Sequence, residues 1–129
     1  MKYNLLDIIS YNQFLLSPKL NDLPLSARYK FSLIIPLLAP HTQFYEKRQQ
    51  EIAAKYGKKD EEGNFVKTED GKGIIIEDKF VDDFEKAIKE LNELTVEIDA
   101  DKITCSLNDL EKANLSIAEL SQISSFIHN

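Results

Sequence analysis

Residues 25–57 read LSARYKFSLIIPLLAPHTQFYEKRQQEIAAKYG, and whether they form one helix or two decides the fold. Large apolar side chains recur at helical steps: Tyr29, Leu33, Leu37, then Phe44, Ile52 and Tyr56. That spacing puts one stripe on one helix face and turns it toward a core. Ser26 is the N-cap on offer, and Lys55 followed by Gly57 closes the far end, which predicts a helix over 26–56. Pro36 and Pro40 interrupt it, four apart, so both rings fall on one side. Each removes a backbone hydrogen bond and crowds the carbonyl four residues earlier, at about 3 kcal/mol in a regular helix interior. The outcome is either a continuous kinked helix or two helices meeting near Ala39-Pro40-His41; the kinked helix is the expectation.

Upstream, 4–16 is a short helix with Asn4 as its cap and Leu5, Ile8, Ile9, Asn12 and Leu16 near one face. Ser17-Pro18 ends it, because a residue before proline avoids the α region. Leu20 and Leu23 are anchors in the loop that follows. Downstream, 58–77 changes character. Phe65–Thr68 and Gly73–Ile76 are β-prone runs around Glu69-Asp70-Gly71-Lys72, which predicts a β-hairpin insert. Residues 78–94 form the clearest helix, capped by Asp78, with Phe80, Phe84, Ile88 and Leu91 on one face, antiparallel to the long helix. Residues 95–107 alternate at Val96, Ile98, Ile103, Cys105 and Leu107, as a second small hairpin or an extended arm. Ser116 and Glu119 make a capping box for a last helix, 116–127, presenting Ile117, Leu120, Ile123 and Ile127 to the core.

The expected fold class is therefore mainly α (α+β). It is an antiparallel helical hairpin or small bundle with a β-hairpin insert and a short C-terminal strand segment, one domain over 1–129. A length of 129 residues suits a single core, and 43% hydrophobic with 29% charged residues is ordinary globular composition. The longest apolar run, Phe31–Ala39, contains Pro36 and is half the roughly 18 residues that a membrane span needs. The N-terminus lacks the pattern of a secretion signal, and the lone Cys105 has no disulfide partner, so a cytoplasmic location is expected and no membrane partner.

Charge is uneven. Residues 1–50 hold six basic and three acidic side chains, net +3, and the remainder carries −9 of the total −6. An acidic second half repels phosphate backbones, so no nucleic-acid partner is expected. The Arg28/Lys30 and Lys47/Arg48 pairs read as solvated helix face, with contact to an acidic partner as the alternative.

No catalytic motif is present. A calcium loop needs oxygen ligands at positions 1, 3 and 5, glycine at 6 and glutamate at 12. Setting Gly71 at 6 puts Val66 at 1, and setting Gly63 at 6 puts Lys58 there, so both registers fail at the first ligand. His41 and His128 stand alone, and Cys105 lies on an apolar alternation that places it in the core. Neither phosphate loop nor zinc motif occurs. The expectation is no enzyme, no metal and no cofactor, with a small metal-dependent hydrolase using the acidic half as the outlying alternative.

One order of features resembles a known family. A helix ends with Glu46-Lys47-Arg48 … Lys55-Tyr56-Gly57, followed by Asp60-Glu61-Glu62-Gly63-Asn64, a hairpin and an acidic helix. Then come Val96-Glu97-Ile98 and a closing Leu115-Ser116 … Glu119-Leu120 … Phe126-Ile127. Over roughly residues 24–127 this resembles small uncharacterised proteins of tailed bacteriophages and prophages. The family brings no catalytic residues to carry over, and the Pro36/Pro40 pair departs from its pattern. The resemblance implies a phage-related protein of the host bacterial cytoplasm or the virion. Such a protein acts by contact with another protein, of phage or host, or with itself as a homo-oligomer through the Leu33–Leu38 run. The insert supplies the expected contact residues: Asp60, Glu61, Asn64, Phe65, Asp70, Lys72 and Ile75.

Overall fold

Helix α2 spans Leu25–Tyr56 without a break at either proline. This computed structural model describes residues 1–128. Pro36 and Pro40 both lie on the exposed side. The carbonyls that lose their amide donors belong to Ser32 and Pro36, also exposed, where water replaces the donor. Of the two outcomes the prolines allow, the continuous helix is the one found. It starts one residue earlier than expected, because Pro24 rather than Ser26 occupies the cap position and its carbonyl accepts the first bond, from the Arg28 amide at 3.1 Å.

The stripe that α2 buries is Ala27, Phe31, Ile34, Leu38, Tyr45 and Ile52. This corrects the sequence reading: of the expected stripe only Ile52 is buried and Tyr56 half-buried, while Tyr29, Leu33, Leu37 and Phe44 face outward. Residues 31–38 are apolar on nearly every side, so two stripes of equal spacing run along the helix, and periodicity cannot choose between them. The choice is made by what packs there.

Two clusters flank α2. The larger joins its N-terminal half to α1 (Leu5–Leu15) and to the C-terminal segments. Helix α1 buries Leu5, Ile8, Tyr11, Phe14 and Leu15, whereas the expected Leu16 is exposed and Asn4 makes no side-chain cap bond. Leu20 and Leu23 are buried anchors, as read, though the loop that carries them begins as a 3-10 turn at Pro18–Asp22. The smaller cluster, Leu5, Tyr45, Ile52 and Leu91, joins the C-terminal half of α2 to α3 (Val81–Glu93). These two helices run antiparallel. The Tyr45 hydroxyl donates to Asn92 Oδ1 at 2.6 Å at one end, and the Tyr56 and Phe80 rings lie 5.5 Å apart at the other. Asp78 does not cap α3, because a 3-10 turn at Asp78–Phe80 intervenes; Asp82 and Asp83 occupy the first turn, at the positive end of the dipole.

Beyond α3 the chain ends supply the pairing. Strand β1 (Lys2–Asn4) pairs antiparallel with β2 (Thr95–Glu97), Tyr3 opposite Val96. After α4 (Ala100–Ile103), strand β3 (Cys105–Ser106) pairs in parallel with β4 (Ile127–His128). Neither a second hairpin nor a free arm forms, since each short strand takes a terminus as its partner. A short α5 (Leu107–Leu110) that the sequence reading missed carries its own capping box, Ser106 with Asp109. The Ser116/Glu119 box is present as read, but α6 is only Ile117–Gln122. A 3-10 turn then rotates Phe126 inward, and Ile117, expected in the core, is 88% exposed. Phe126 stacks on Tyr11 at 4.1 Å and on Tyr3 at 4.9 Å.

The insert is a three-way closure rather than a plain hairpin. Lys67 bridges Ile74 as expected, but the chain leaving α2 joins in, with Lys59 bridging Phe65 and Gly57 bridging Ile76. Gly57 is extended (φ −68°), so it is not needed there for a left-handed turn. Its role is close approach: a Cβ would come within 2.8 Å of the Ala53 carbonyl and of Ile74 Cγ2, and 2.9 Å of Phe65. Gly57→Ala is therefore expected to cost about 1–3 kcal/mol by overpacking. Amide exchange in residues 58–76 should rise with it, and unchanged exchange there would refute the closure.

Candidate contact surface

The α2 side chains displaced from the core form a single exposed line. Tyr29 is 65% exposed, Leu33 54%, Leu37 41% and Phe44 51%, with Leu25 at 73% near the start. Steps of four residues, then seven, keep Tyr29, Leu33, Leu37 and Phe44 on one face, and Pro36 and Pro40 fill the gaps. From Tyr29 to Phe44 the ridge runs about 22 Å at 1.5 Å per residue. Its flanks are basic: between Leu23 and Tyr45 the only charged residues are Arg28 and Lys30, and Lys47 and Arg48 follow. Lys30 is held by Asp109 at 2.8 Å and Arg48 by Glu51 at 3.0 Å. Among the described residues Arg28 and Lys47 have no ion pair.

A second concave surface lies between α1 and α3, an open groove of about 400 Å³. Leu6, Phe84 and Ile88 line it, with Asp7, Glu85 and Glu93 against Lys89, net −2. None of the ridge residues lines this groove.

The insert residues divide by task. Asp60 Oδ1 accepts from the amides of Glu62 at 2.9 Å and Asn64 at 3.0 Å, closing the first turn. Asp70 Oδ1 accepts from Thr68 Oγ1 at 2.5 Å and the Lys72 amide at 3.0 Å, closing the second, and those bonds hold its carboxyl below the usual range. Phe65 is half-buried against Gly57. Glu61, Asn64, Lys72 and Ile75 remain on the outside.

Other chemistry-bearing groups are placed as follows. Cys105 is fully buried; burial pushes its thiol up, against a smaller opposing effect of the Tyr11 hydroxyl. His128 sits opposite Ser106 in the β3–β4 register, and its side chain is exposed. His41 is half-buried on α2. Among the described residues no group of three or more His, Cys, Asp or Glu is placed to hold a metal ion, and no helix is long and apolar enough to cross a membrane.

Asp109 couples the ridge helix to the C-terminal segments. Burial alone would raise its pKa, but the Lys30 ammonium and the Ser106 amide and hydroxyl outweigh that and lower it below the ordinary 3.8. A depressed folded-state pKa contributes stability above 3.8 that is lost as pH falls through the folded value. Asp109→Asn should therefore be less stable than wild type at neutral pH, the gap closing in acid below 3.8. Denaturant titrations at several pH values measure it, and a constant gap would exclude the ion pair as the cause.

Comparison of the chain with protein families, with curated proteins and with solved structures finds no match.

Proposed function

We propose that this chain is a non-enzymatic, phage-related interaction protein whose working surface is the α2 ridge. The observation that carries the reading is five large apolar side chains exposed on one helix, four of them in a continuous line. Exposed leucines scattered singly need no explanation, but a contiguous line rimmed by polar residues marks a contact site. The phage origin rests on the order of features from Glu46 to Ile127 and on nothing else. On this reading the chain works in the cytoplasm of the host bacterium or within the virion, where a phage protein, a host protein or a second copy covers the ridge. The insert, on which Glu61, Asn64, Lys72 and Ile75 are all exposed, is the second contact element.

The test is site-specific photo-crosslinking in the producing cell. A benzophenone side chain at position 33 or 37 should give discrete adducts, and the same group at Gln49 should give none. Adducts of equal yield at all three positions, or none at 33 and 37, would remove the ridge from consideration. Adducts from position 75 but not 33 would transfer the role to the insert.

A further inference from the structure

We infer that the partner of the ridge is a second copy of this chain, and that it docks head-to-tail into the groove between α1 and α3. This inference rests on the ridge being a contact surface and adds what covers it.

Charge and shape on the two surfaces carry the argument. The ridge offers Leu33 and Leu37, one helical turn apart, and Lys47, which has no ion pair among the described residues, continues the same face beyond Phe44. The groove offers an apolar floor of Leu6, Phe84 and Ile88 with a net −2 rim. Apolar centre meets apolar centre, and positive edge meets negative edge, the arrangement that fixes orientation and suppresses wrong pairings. The alternative, ridge against ridge across a two-fold axis, brings the basic flanks of both copies together without an acidic counterpart on the ridge. Leu33 and Leu37 stay exposed in the single chain, so one copy does not cover its own ridge. A ridge-to-groove contact is heterologous: it propagates, closing into a ring if the rotation allows and extending into a filament if it does not.

Sedimentation velocity of the full chain over a concentration series, at low and high salt, tests this with two variants. Leu33→Glu disables the ridge and leaves the groove intact. Glu85→Lys combined with Glu93→Lys reverses the groove rim and leaves the ridge intact. All three positions are exposed, so each variant is expected to fold, and Leu33→Ser serves as a second ridge variant if the glutamate does not. Wild type should grow past the dimer with concentration and shrink in high salt. Each variant alone should associate at least about tenfold more weakly. Mixed one to one, the two variants should form a heterodimer and stop there, because only one intact ridge and one intact groove remain. A dimer that the groove variant retains and the ridge variant loses would mean two-fold ridge pairing and overturn the inference. So would a wild-type monomer at every concentration; adducts at position 33 to a different protein would then leave the ridge reading standing without this partner.

Discussion

Replacing Phe126 with alanine should lower the free energy of unfolding by about 3–5 kcal/mol, the range for removing a buried phenyl ring and leaving a cavity. Whole-domain stabilities are about 5–15 kcal/mol, so this single change removes a large share. The ring is fully buried between two tyrosines, at 13° to the Tyr11 plane and 21° to that of Tyr3. Such pairs contribute about 0.5–1.5 kcal/mol beyond burial itself. The cavity cannot collapse easily. Tyr11 is pinned by its hydroxyl, which donates to the Ile103 carbonyl at 2.5 Å, and Tyr3 by its place opposite Val96 in the β1–β2 ladder. Phe126 thus ties the C-terminal segment to the first helix and the first strand. Ile117→Ala, at a site 88% exposed, is the matched control and should stay within about 0.5 kcal/mol. Urea unfolding measures both, and a Phe126 loss below about 1 kcal/mol would mean that the tail does not hold the core.

What the sequence made legible follows from where information is local. Helix α3 is apolar on one side only, so Phe84, Ile88 and Leu91 could be oriented from their spacing. The Ser116/Glu119 box and the turn at Asp70-Gly71 are chemical signals within a few residues, and both are present. Helix α2 existed on paper but its facing did not, because Phe31–Leu38 is apolar all round and either stripe fits a core. The alternation at Val96 and Ile98 marked β2, but its pairing could not be read: β1 is three residues long and pairs across more than ninety residues of chain, and β3 and β4 are two residues each. Two or three residues carry no period. Asp60 and Asp70 close turns, identifiable as such from Asx-turn chemistry, and Phe65 packs on Gly57, while the ridge was visible only in part, as the Leu33–Leu38 apolar run.

Replacing both Pro36 and Pro40 with alanine should raise stability by about 4 kcal/mol. A proline in a helix interior is about 3 kcal/mol worse than alanine. Against that, each proline restricts the unfolded chain, worth about 0.4–1 kcal/mol, so the net gain is about 2 kcal/mol per site. Neither side chain is in the core, so no buried contact is lost. Four residues apart the two sites share backbone and couple, which makes the single variants necessary beside the double. Thermal unfolding should shift upward by about 10 °C or more for the pair. A fall in stability would mean that the course of α2 through 36–40 is imposed by the packing of Leu38, fully buried at the middle of this segment. A rise carries a consequence for function. Both prolines are exposed within the ridge between Leu33 and Phe44, so replacing their rings by methyl groups removes apolar surface from the contact line. The stabilised double variant is therefore expected to bind its partner more weakly than wild type, the opposite of what a gain in folding stability alone would give.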